Sequence, residues 1–146
     1  MVSGMQTSIG SKVVAVLLVI TGILGVVILG TDQILRQTAL AHAYVLAVFV
    51  IIDLAVAGVV LVKPTKMNFT LSALWSVLRL VLQIADVSQA HMYQMRYREF
   101  AAYLFTPTMA TPPNPTGIPG AVIDLIMILE IIVTVVAWRA RVSASK

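Results

Sequence analysis

The chain has 146 residues, of which 60% are hydrophobic and 11% charged, and its mean hydropathy is +0.98. An ordinary soluble domain is about 45–50% apolar and about 25% charged, and a chain this short buries only about two-thirds of its surface, too little to hide so many aliphatic side chains from water. Water-soluble, disordered, collagen-like and coiled-coil classes are thereby set aside in favour of a membrane protein.

Cysteine is absent, which removes disulfides, thiolate metal sites and iron–sulfur ligation. The net charge of +4 is not read as a nucleic-acid footprint, because the charges are sorted by position along the chain.

A bilayer core about 30 Å thick takes roughly 20 apolar residues per helix, and backbone groups in lipid must pair within their own segment, so each span is helical. Four stretches qualify, giving an all-α four-helix transmembrane bundle as a single integral membrane domain over residues 1–146. The first runs over 13–29, between Lys12 and the polar Gly30-Thr31-Asp32-Gln33. It resembles a secretory signal in length, but its flank carries one lysine and no small-x-small cleavage site follows Leu29, so it is expected to be retained. Thr21, Gly22 and Gly25 make a smooth patch on it where another helix can approach closely.

The second span covers about 39–62 and stops at Lys63-Pro64. The turn that follows is short, so spans two and three are expected to form an antiparallel helical hairpin. The third covers about 70–90 and extends, on one reading, to 105. Tyr93, Tyr97, Phe100 and Leu104 recur there at helical spacing among Arg96, Arg98 and Glu99. That amphipathic extension suits the headgroup layer, where tyrosines are enriched. Pro107, Pro112, Pro113, Pro115 and Pro119 then mark an extended Pro-rich loop on the outer side. The fourth span covers 118–138 and ends on Arg139 and Arg141.

Lys and Arg in the short flanks set orientation. With the N-terminus inside, the inner flanks hold Lys12, Lys63, Lys66, Arg139, Arg141 and Lys146, against Arg36, Arg96 and Arg98 outside. Both termini are therefore expected in the cytoplasm. Asn68-Phe69-Thr70 fits a glycosylation sequon that this topology leaves inside and unused.

Asp53, Asp86, Asp124, Glu130 and Arg79 all fall within apolar spans. Each ionised side chain at mid-bilayer costs about 2.5–3.5 kcal/mol on insertion scales, so the five need partners. Asp53 lies 13 residues before Lys66 and Arg79 lies 13 after it. Equal counts along two arms of a hairpin mean equal depth. Glu130, 8 residues before Trp138, reaches nearly the same level. Arg79 between Asp53 and Glu130 would tie three helices together.

Ser72, Ser76, Arg79, Gln83 and Asp86 follow a 4-3-4-3 spacing that puts them on one face of span three. Such a stripe must face the bundle interior or a partner. Asp86 should be level with Asp124. Four carboxyls face one guanidinium, so desolvation and mutual repulsion leave one or more of them neutral at physiological pH.

That arrangement is compatible with proton handling or cation binding, yet buried ion pairs also serve simply to specify packing, and the structural reading carries more weight. For Asp124 the structural reading is stronger still, because an acid in the first two turns of a helix suits the helix dipole.

His42 and His91 should emerge level at one rim, where such a pair could ligate a haem b iron or, with Asp86 or Asp124, a metal ion. Interfacial hydrogen bonding is the simpler use of two histidines. No nucleotide-binding loop, His-Glu-x-x-His helix or Gly-x-Ser-x-Gly elbow is present. The leading expectation is a non-catalytic integral subunit, packed in a larger membrane complex of energy-converting or redox type, with lipids and other integral subunits or further copies of itself as partners and no nucleic acid. A small oligomeric proton- or cation-coupled transporter or channel is the alternative, and a haem b electron-transfer subunit the third reading.

Overall fold

The computed structural model describes residues 2–32, 36, 40–92 and 118–144, with side chains for 9–32, 36, 40–85 and 122–144. The expected amphipathic extension past residue 92, the Pro-rich loop, and the side chains of Asp86 and His91 lie outside the described residues. The chain is all-helical. Four helices follow one another: α1 Val2–Thr31, α2 Leu40–Val62, α3 Lys66–Met92 and α4 Ile118–Ser143.

α1 begins 11 residues before its apolar run, and α3 begins at Lys66 rather than near residue 70. Polar flanks continue a helix readily, because backbone bonding and not hydrophobicity makes it. Local chemistry marks the start of α3. The Thr65 hydroxyl accepts the Asn68 backbone N–H at 3.3 Å, as an N-cap does. The Asn68 side-chain amide donates to the Lys63 carbonyl at 2.7 Å and braces the turn. Pro64, without an N–H and unfavourable to helix in the residue before it, ends α2.

α1 packs against both α2 and α4, and α3 packs against α4; α2 and α3, although joined by three residues, pack more loosely than these three pairs. Side-chain size explains the difference. A Cβ on Gly25 would lie 2.6 Å from Val50 Cγ2, and one on Gly10 would lie 2.9 Å from the Cβ of Ala140, so α1 meets both neighbours nearly backbone to backbone. Between α2 and α3 stand Phe49, Trp75 and Arg79, which hold the two helices apart. Phe49 and Trp75 meet edge to face with centroids 5.6 Å apart, and the Arg79 guanidinium lies 5.8 Å from the Phe49 ring.

The apolar core gathers toward the end of the bundle where α1 starts and α4 finishes. Val14, Leu18, Val60, Phe69, Val133 and Ala137 meet there with almost no exposed surface. The outward faces invert the soluble pattern. Ile23, Ile51, Leu74 and Ile128 are all more than half exposed, while Ser72, Ser76, Asp53, Arg79 and Glu130 are buried. Three helical segments, Ile9–Thr31, Leu40–Val62 and Lys66–Ala85, are long and apolar enough to cross a membrane. An apolar exterior around a polar interior is the arrangement of a membrane protein.

Candidate functional site

The polar interior centres on Arg79, which α3 projects toward all three other helices. Its position follows from the stripe: Ser72, Ser76 and Arg79 are each fully buried, and Gln83, a further turn along, is half-buried. Ser72 returns its hydroxyl to the Asn68 carbonyl of its own helix at 2.9 Å, so it is satisfied locally.

Arg79 Nη1 donates to Asp53 Oδ2 from α2 and lies 3.2 Å from Glu130 Oε1 of α4; all three side chains have no exposed surface. A single guanidinium thus bridges two carboxyls on two other helices. Its Nη2 turns toward α1, where a Cβ on Gly25 would come within 3.9 Å of it. Only a residue without a side chain leaves α1 that close.

Asp53 is the better served of the two acids. Trp75 Nε1 donates to its Oδ1 at 2.7 Å. Thr21 Oγ1 of α1 sits 3.3 Å from Oδ2 and shares its proton with the Leu18 carbonyl at 2.8 Å. Donors from α1 and α3 therefore converge on one carboxylate of α2, in a medium of low dielectric where charge-assisted hydrogen bonds are strong. Glu130 has less. Neither of its oxygens takes part in a hydrogen bond of good geometry, and Ser76 Oγ, which lies beside it, is without one too.

Asp124 is half-buried and stands apart from this cluster, six residues before Glu130 on α4. His42 is exposed near the start of α2. Among the described residues no group of three or more His, Asp or Glu side chains gathers as a metal site would require. Asp53, Arg79 and Glu130, which the depth count puts at one level, are together. Thr21, Phe49 and Trp75 belong to the same cluster, yet the charge pattern alone does not point to them. Trp75 carries a usable signal: it precedes Arg79 by four residues and so shares its face of α3. No family model, curated protein or solved structure matches the chain.

Proposed function

We propose that the chain is a non-catalytic integral membrane subunit, a four-helix transmembrane bundle that packs within a larger membrane assembly and keeps both termini in the cytoplasm. The observation that carries this reading is the direction in which the charges are spent. Arg79, Asp53 and Glu130 are turned inward and engage one another across three helices of one chain. Every helix meanwhile offers an apolar outer face to lipid tails or to a neighbouring helix. A buried ion triad of this kind specifies helix register and neighbour choice.

In this reading the Tyr-rich stretch over 93–105 and the Pro-rich stretch over 107–119 form an outer docking surface. The test is isolation of an affinity-tagged copy from its native membrane in mild detergent and then in lipid nanodiscs. Stable association with other integral membrane proteins is expected. A lone monomer in native-like lipid overturns the proposal.

A second reading, a small oligomeric proton- or cation-coupled carrier, is favoured by one observation: the triad holds two carboxyls for one guanidinium. In reconstituted liposomes, ion or proton flux that is lost in both Asp53→Asn and Glu130→Gln supports it. Flux indifferent to both removes it.

A further inference from the structure

Two carboxyls and one guanidinium are sealed in the core, and the geometry divides them unequally. Asp53 has a donor on each oxygen, Trp75 Nε1 on Oδ1 and Arg79 Nη1 on Oδ2, with the Thr21 hydroxyl beside the latter. Those are the partners of an ionised carboxylate, and with Arg79 it makes a neutral pair. Glu130 is placed otherwise. Its Oε1 lies 3.2 Å from the same Nη1 that already serves Asp53. Neither of its oxygens accepts a hydrogen bond, although the side chain is fully buried.

No second cation stands at this level among the described residues. α1 brings Thr21, Gly22 and Gly25, none of them charged, to the Asp53–Arg79 pair. α2 supplies Asp53 and α3 supplies Arg79 as their charged groups, and α4 supplies Glu130 itself. With Glu130 ionised, the core keeps one negative charge in excess. A buried ion without adequate partners escapes that cost by neutralisation. A neutral carboxyl also gains an O–H donor. The Ser76 hydroxyl, buried beside Glu130 and without a hydrogen bond of good geometry, can donate to an ionised carboxylate or accept from a neutral carboxyl.

We propose that Glu130 is a proton-binding site: its carboxyl holds the one proton that makes the triad electrically neutral and donates it in a hydrogen bond to Ser76, while Asp53 remains the ionised partner of Arg79. The site is the same whether the chain serves as a subunit or as a carrier, so it stands independently of the choice between them. Half-buried Gln83, whose Oε1 is also without a partner, continues the polar face of α3 one turn beyond Arg79.

The composition makes the test clean, because Glu99 and Glu130 are the chain's two glutamates. Full-length protein with carbon-13 in the glutamate side-chain carboxyls, reconstituted in lipid nanodiscs at neutral pH, yields two signals by infrared spectroscopy or solid-state NMR. One is expected to read as a neutral acid, to vanish in Glu130→Gln and to persist in Glu99→Gln. Ser76→Ala should shift that signal without abolishing it, since the acid loses its acceptor. If Glu130→Gln does not fold, Glu99→Gln alone assigns the remaining signal. Two carboxylate signals at neutral pH, or an acid signal that follows Glu99, overturn the proposal.

Discussion

Arg79 takes its whole charge into the core, so its partners bear the consequence of removing it. Arg79→Met leaves two carboxyls buried without a cation, and Asp53→Leu leaves a guanidinium with only Glu130 for company. Arg79→Met is expected to cost about 3–5 kcal/mol, because breaking a buried pair leaves its other member uncompensated, and Asp53→Leu less, because Glu130 can give up its proton and take over as the counter-ion. The double variant removes the pair together and should be far less damaging than the sum of the two. Unfolding in mixed micelles, followed by tryptophan fluorescence, measures all three; additive losses would show that the pair is not coupled. Trp75→Phe is a milder probe. It preserves an aromatic ring against Phe49 but withdraws the N–H that reaches Asp53 Oδ1. A loss of about 1–2 kcal/mol is expected, in the range of hydrogen bonds between membrane helices. A larger loss would indicate that the indole's shape, not its donor, is what Asp53 depends on.

Helix contacts in this bundle are decided by small residues more than by apolar ones. Gly25 is the sharpest case: a methyl there meets the stiff, β-branched Val50 at 2.6 Å, so Gly25→Ala must push α1 from α2 and disturb the approach to Arg79. A cost of about 1–3 kcal/mol is expected from overpacking. Gly30→Ala meets nothing within 4 Å and should be neutral or slightly stabilising, since alanine favours helix. Equal effects at the two positions, read in the same micelle titration, would exclude close packing as the reason for Gly25.

This contrast also shows what can be read without coordinates. Apolar runs locate the helices because lipid demands them, and residue counts about Lys66 put Asp53 and Arg79 at one depth because helical rise is constant. The smooth face at Thr21, Gly22 and Gly25 is visible as well. Which helix it receives is not, since lipid-facing and helix-facing aliphatic residues look alike in a sequence. For the same reason the weak α2–α3 approach is hidden: a short turn implies adjacency, whereas Phe49, Trp75 and Arg79 decide the distance. Neither helix start that runs into polar sequence is legible: α3 begins four residues before its apolar run, where Thr65 caps it, and α1 begins at Val2, where polar sequence simply continues the helix.

For the molecule as a whole, orientation in the membrane follows from where its basic flanks gather. Gly10 meets Ala140, so the start of α1 and the finish of α4 lie side by side. Lys12, Lys63, Lys66, Arg139 and Arg141 belong to that end, and no Asp or Glu occurs within the flanks that carry them. The bias of Lys and Arg toward the cytoplasmic side is the ground on which both termini are proposed to lie inside.

A chain without cysteine is suited to the test, because each introduced thiol is the sole target of a membrane-impermeant maleimide. Thr65→Cys and Ser143→Cys probe the basic end, and Thr31→Cys probes the opposite one. Residue 31 is expected to label on intact cells, with 65 and 143 labelling only after permeabilisation. The reverse pattern inverts the orientation but keeps four spans. Labels at 65 and 143 on opposite sides would mean that α4 does not cross, and the ion triad could then no longer be a device for holding three membrane-spanning helices in register.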